Sequence, residues 1–324
     1  MSCGCVNGDR ARSASFCAGD PRRKLVDPPP RRSWRPALTH RHRLSLSGPS
    51  GLRYKPHNRW HPAIAPVLSV ESGDEIDVEV ADGLDGQLAA GPTALTSLDT
   101  TRAHPLGGPI AVRGANPGDL IAIEIVSIAT TDRGFTAVRP GAGLMADEVA
   151  SDLLIEWDLL EGVARSPALP GVHIHGAPFV GVVGVAPSQQ RLRDISDREL
   201  ALSEAGALVH LPTPKSARPP YSRTVADAGL RTIPPREIGG NLDVRHLQCG
   251  ARVTLPVDVE GALLSVGDLH FAQGDGEVCG QAIETAGRVT IRVEVLAASA
   301  HQWKPSAPFI ELPAYERAPP VRDH

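Results

Sequence analysis

Aromatic residues make up only 4% of this 324-residue chain, and methionine occurs twice. Any core must therefore come from aliphatic side chains. No stretch approaches the eighteen or so continuous apolar residues of a membrane span. Nor does Met1–Gly48 form the apolar segment of a secretory leader, so a cytoplasmic protein with no membrane partner is expected. Cysteine is sparse as well. Cys3, Cys5 and Cys17 lack the Cys-x-x-Cys spacing of a zinc ribbon, and they leave only Cys249 and Cys279 in the patterned part. Both read as free thiols of a reducing compartment, Cys279 as a packed strand residue. Four motifs are also missing: a Gly-x-Ser-x-Gly elbow, a Walker A loop, a His-Glu-x-x-His helix and a strand-borne Gly-x-Gly-x-x-Gly. Their absence removes the standard serine-triad, NTPase, zincin and dinucleotide chemistries.

What the chain has in quantity is turn-forming residues, with 32 Gly and 30 Pro. That composition favours short strands over long helices. Period-two alternation is clear in Ile76, Val78, Val80; in Ile121, Ile123, Ile125; in Val253, Leu255, Val257, Val259; and in Val289, Ile291, Val293, Val295. Each series follows a glycine-led turn, and strict alternation with polar partners predicts half-buried antiparallel strands. Phe179–Pro187 is nearly continuous in apolar residues, as suits a strand buried on both faces. The one convincing helical pattern runs over Ser196–Leu208, with Ser196 and Glu199 as a capping box.

The expected fold is mainly β, an antiparallel sandwich or barrel with a small α+β insertion. Its parts are a basic Pro/Arg-rich disordered extension (1–51), a first β-rich part (52–190) and a Pro-rich, partly helical insertion (191–235). A second β-rich part (236–300) and a tail (301–324) follow. The extension concentrates charge, with ten Lys/Arg against three Asp before residue 49, so the remainder carries about −11 of a net −4. An acidic body argues against nucleic acid as a partner. Exposed edge strands in such a body make a homo-oligomer the expected assembly.

Three polar clusters interrupt the β pattern: His57–His61, Glu237–Asp243 and Asp268–Glu277. The last holds Asp268, His270, Gln273, Asp275 and Glu277 around three glycines. Asp268 and His270, two apart, share a face if the backbone is extended. A buried histidine among carboxylates is costly unless a metal, a proton or a substrate compensates the charge. The bland alternative, aspartates that merely cap turn amides, suits Asp74 and Asp119, which only start strands. It suits Asp268 less well. Asn241 and Asp243 repeat the two-residue spacing, and oxygen-rich sites with one imidazole suit Zn²⁺, Mn²⁺, Mg²⁺ or Ca²⁺. The same crowding, without metal, would raise one carboxylate pKa and supply a general acid/base. His173 and His175 offer a further pair, read as a solvent-contacting strand edge. Pro56 and Pro62 make His57–His61 extended rather than helical.

These residues carry a resemblance to the acetamidase/formamidase family over roughly residues 54–297. The matching segments, in order, are His57-Asn58-Arg59-Trp60-His61-Pro62, Gly86-Gln87, Gly108-Pro109-Ile110, Gly114–Asp119 and Gly184-Val185-Ala186-Pro187-Ser188. Pro234-Pro235-Arg236-Glu237, Asn241-Leu242-Asp243, Gly267-Asp268-Leu269-His270 and Gly274-Asp275-Gly276-Glu277 follow. The chain departs from the family pattern at Ile238, where histidine or asparagine is usual, and at Asp85, where a glycine is. The resemblance implies hydrolysis of a small linear amide, formamide or acetamide, to ammonia and the carboxylate, with no organic cofactor. For that reaction the residues themselves suggest catalytic Glu277, His270 and Asp268, with Asp243, Asp268 and His270 around a divalent metal, zinc before calcium. His57, Trp60, Asn241 and Gln273 are then the expected substrate contacts. Two other readings stand beside it: a cupin-like β-barrel metalloprotein, and a non-catalytic β-domain that binds a ligand through the same cluster.

Overall fold

The computed structural model describes residues 40–47, 51–144, 146–218, 223–300 and 302–313. Two large β-sheets face each other. The first runs, in order of pairing, Leu52–Arg53, Arg41–Ser45, Glu75–Val80, Gly287–Leu296, Leu120–Thr130, Arg252–Pro256 and Phe309–Glu311. The second follows Ile174–His175, Val163–Arg165, Leu153–Leu160, Arg133–Val138, Ile283–Thr285, Leu264–Ala272, Phe179–Gly184, Gly239–Asn241 and Pro235–Arg236, with Leu106–Val112 also paired to Leu264–Ala272. The alternating series point inward. Ile76, Val78, Ile123, Ile125, Val253, Leu255, Val289 and Ile291 of the first sheet meet Val180, Val182, Leu264, Val266 and Leu269 of the second. Each such burial stabilises by roughly 1.5–3 kcal/mol. The core is aliphatic, as the scarcity of rings requires.

Strands from the two β-rich parts interleave: Gly287–Leu296 lies between Glu75–Val80 and Leu120–Thr130, antiparallel to both. The parts therefore share both sheets. Asp74 and Asp119 cap turns, Asp74 accepting from the amides of His40 and Glu71, Asp119 from those of Asn116 and Ala298.

Four expectations need correction. Arg41–Ser45, placed in a disordered extension, is a strand parallel to Glu75–Val80, and Arg41 holds Asp77 through Nη2 at 2.8 Å. The rest of that extension, residues 1–39, lies outside the described residues. The helix begins earlier, at Gln189, and ends at Glu204. Its cap is Ser188, whose hydroxyl accepts from the Arg191 amide. Glu199 closes no capping box, because it forms a buried two-point ion pair with Arg236 at 2.6 and 3.0 Å. Cys279 sits in a turn, and its thiol donates to the Gln281 carbonyl. The tail, set apart from the β-rich parts, in fact contributes a strand, since Phe309–Glu311 pairs with Arg252–Pro256.

The insertion is bound into the body. Leu230–Arg231 pairs with Arg59–Trp60, and Asn58 donates to the Ser216 carbonyl while accepting from the Arg218 amide. His57 is buried beside them. Its Nδ1 lies 2.9 Å from the Arg59 carbonyl, which can only accept, so Nδ1 carries the proton and Nε2 accepts from the Ser265 hydroxyl at 2.8 Å. Burial pushes its pKa down to about 4. No described helix is long and apolar enough to cross a membrane.

Because the unfolded chain binds a proton at His57 near pH 6.5 and the folded one only near 4, stability falls as pH drops through that window. Wild type should lose about 3 kcal/mol more than His57→Gln between pH 7 and 4 in denaturant titrations. Parallel pH profiles would contradict the assignment.

Candidate functional site

The strand Leu264–Ala272 is buried along its whole length, since neighbours pair on both sides of it. The register places His270 opposite Phe179 on one side and opposite Glu284 on the other. Directly opposed residues project from the same face. Phe179 packs edge-on against the His270 ring at 4.8 Å, and Glu284 Oε2 lies 3.3 Å from His270 Nε2. Asp268 Oδ2 approaches the same nitrogen at 3.4 Å.

Backbone conformation singles out the same residues. Seven described non-glycine residues have positive φ, and three of them are Asp243 (44°), Asp268 (59°) and Glu277 (45°). Such conformations cost energy for L-residues and persist where surrounding contacts fix them, often at functional sites. Asp268 adopts one in mid-strand. Glu277 sits in the short turn Asp275–Glu277, and its carboxylate comes within 4.8 Å of ligand atoms on His270 and Glu284.

Hydrogen bonds determine which way the cluster faces. Gln273 Nε2 donates to the Asp243 carbonyl at 3.0 Å, which turns Gln273 Oε1 toward His270 Nδ1 at 3.1 Å. An amide oxygen only accepts, so Nδ1 carries a proton, and Nε2 is left facing two carboxylates. Asn241 Nδ2 donates to Asp243 Oδ2 at 2.6 Å. The Asn241 amide is thereby oriented, with its oxygen free. Among the described residues, Oδ1 of Asn241, of Asp243 and of Asp268 are all buried without a hydrogen-bond partner.

The electrostatics follow from packing several acids around one imidazole. Burial, reinforced by Asp268, pushes Asp243 up to about 9. Burial likewise lifts Glu277 to about 7. For Asp268 burial works upward but is overcome by His104 and His270, which hold it well below the ordinary carboxylate range. His270 is raised well above its usual value, because Glu284 and Asp268 outweigh burial. The cluster is short of positive charge. Protons or a cation must supply it.

The residues fit a divalent cation. Ligand atoms of Asp243, Asp268 and His270 lie within 4.8 Å of one another, and two carboxylates with an imidazole are a suitable donor set for zinc. The space comes from two glycines. A Cβ on Gly181 would stand 2.6 Å from Asp268 Oδ2 and 2.8 Å from Asp243 Oδ1. One on Gly83 would collide with Asp268 Oδ1 and lie 3.1 Å from Glu284 Oε2 and 3.3 Å from His104 Cδ2.

Asp243, Asp268, His270, Asn241, Gln273 and Glu277 are thus brought together, with Gln273 engaged at both ends in positioning and not free for a ligand. His57 and Trp60, expected as substrate contacts, are buried. His57 has both ring nitrogens engaged, and the Trp60 ring lies against Gly184. Glu237 faces away and pairs with Arg198 of the helix, while His173 and His175 are exposed. Sequence reasoning missed Glu284, His104 and the two glycines. An acid inside the apolar stretch Ala282-Ile283-Glu284 was the available signal for Glu284; His104 offered none.

A model of the Acetamidase/Formamidase family matches residues 49–319. The formamidase of Methylophilus methylotrophus is 36% identical over 260 residues, covering 74% of this chain and 64% of its own. The acetamidase of Mycolicibacterium smegmatis is 35% identical over 267 residues, covering 74% and 66%. The chain thus spans about two thirds of the length of these relatives. Among solved structures, a gamma lactamase from Delftia acidovorans superposes with a TM-score of 0.76 at 32% identity, covering 83% of this chain and 70% of that one.

Replacing Gly83 by alanine should lower zinc affinity at least tenfold in calorimetric titration, through displacement of Asp268 and Glu284. Unchanged affinity would remove that space from the cation site.

Proposed function

The chain belongs to the acetamidase/formamidase family, and we propose that it hydrolyses the C–N bond of a linear carboxamide, releasing ammonia and the carboxylate. The observation that supports this reading is the cluster in which His270 Nε2 stands between Asp268 and Glu284 while, among the described residues, Oδ1 of Asn241, Asp243 and Asp268 lack hydrogen-bond partners. A divalent cation held by Asp243, Asp268 and His270 would supply Lewis-acid polarisation of the amide carbonyl and acidify water there. Gln273 fixes the His270 tautomer from behind. Asn241 Oδ1, oriented by the bond from its own amide nitrogen to Asp243, accepts an N–H of the substrate amide.

Glu277 is the general base. Burial raises its pKa above the ordinary carboxylate value, which makes the carboxylate a stronger base toward the attacking water. Water oxygen bonds to the carbonyl carbon, and the proton held on Glu277 passes to the departing nitrogen. The C–N electron pair leaves with ammonia. Phe179, packed on the His270 ring, excludes water from that flank. A cytoplasmic setting and a homo-oligomer belong to the same reading, supported by the free thiols Cys249 and Cys279 and by exposed Leu153, Leu160 and Leu208.

Glu277→Gln should lower kcat for acetamide by about 10²–10⁴ while leaving the melting temperature unchanged. Retained turnover removes Glu277 from the base role. Elemental analysis should find about one divalent cation per chain, lost on chelation together with activity and diminished in Asp243→Asn. Metal-free protein with undiminished turnover would remove the cation from the reaction.

A further inference from the structure

The register that joins His270 to Glu284 continues outward across the sheet. Glu284 is opposite Phe135, and Phe135 is opposite Glu156, so His270, Glu284, Phe135 and Glu156 form one row on one face. A cavity of about 390 Å³ lies along the outer half of this row, lined there by Glu284, Phe135 and Glu156. Leu88 and Ala89 line it too, as do Thr131 and Arg133. Thr131, Arg133 and Glu156 are exposed and mark its mouth, whereas Glu284 is buried and marks its floor. Glu284, which lines the cavity, also places Oε2 3.3 Å from His270 Nε2, so one residue joins the cavity wall to the cluster.

Its size does not match a formyl or acetyl group. At roughly 30 Å³ per water, the volume has room for about a dozen waters, so an acetyl group occupies only a small corner. Part of the wall is apolar, from Leu88, Ala89 and Phe135. An extended acyl chain or ring laid along the row would cover Phe135 and leave its carboxamide at Glu284, beside Asp268 and His270.

We propose that this cavity is the entrance and acyl compartment of the site, and that the preferred substrates are carboxamides whose acyl group is longer than acetyl. The inference rests on the amide-hydrolase reading above. Phe135, in the row beside Glu284, and Ala89, which also lines the cavity, set the acyl length.

Ammonia release by the cation-loaded chain tests it, with kcat/KM measured for formamide, acetamide, butyramide, hexanamide and benzamide. Wild type should favour hexanamide or benzamide over acetamide by at least about tenfold, since each buried methylene in a fitted pocket is worth about that much. Ala89→Phe, at an exposed position, should lose about tenfold on the long amides while acetamide stays within about threefold. Phe135→Ala should move the optimum to larger acyl groups. A wild-type preference for acetamide over every longer amide overturns the compartment, as does an Ala89→Phe loss equal for all substrates. Absence of ammonia from the whole panel overturns the amide-hydrolase reading together with it.

Discussion

One imidazole is asked to balance two buried and two half-buried acids, and much of the structure answers that demand. Asp268 and Glu284 both approach His270 Nε2, and ligand atoms of Asp243 and Glu277 lie close by. In a β core, such charge is costly unless it is neutralised. The fold does not hide the problem by surrounding every oxygen with donors. It leaves oxygens of Asp243, Asp268 and Asn241 without partners and keeps Gly83 and Gly181 bare beside them. That arrangement leaves room beside the carboxylates, and the cost of the buried charge falls on the scaffold.

The scaffold meets that cost through sheet register and rigid anchoring. Pairing on both sides of Leu264–Ala272 fixes His270 between Phe179 and Glu284, and a slip of one residue would turn His270 to the opposite face. The loop that carries Asp243 is tied to His270 through Gln273. Farther out, the buried Arg236–Glu199 pair joins the helix Gln189–Glu204 to the strand that leads into Asn241. Removal of either partner would strand a charge in the interior. The insertion therefore braces the segment that leads into the site.

The sequence showed the chemistry more clearly than the architecture around it. Asp268, His270, Gln273 and Glu277 stood out because polar residues crowd a short glycine-rich stretch between apolar runs, and Asn241 and Asp243 because their spacing repeats. The alternating strands were equally legible, since period two survives whatever the pairing. Glu284 was not, because only non-local register brings it against His270. His57 and Trp60, named as substrate contacts alongside the family resemblance, are buried, His57 with both ring nitrogens bonded inside the fold. The cap at Ser188 was passed over because Glu199, three residues after Ser196, imitates a capping box while its carboxylate serves Arg236. Family resemblance, not local pattern, turned a polar cluster into an amide-hydrolysing one.

Whether this cluster breaks the amide bond is tested most directly by product stoichiometry in the purified chain. Ammonia and carboxylate should appear in equal amounts from a simple primary amide such as acetamide with wild type. Both should vanish in Asp268→Asn protein whose circular dichroism is unchanged. Equal turnover by wild type and folded Asp268→Asn would contradict the account, as would failure of the wild-type chain to release either product.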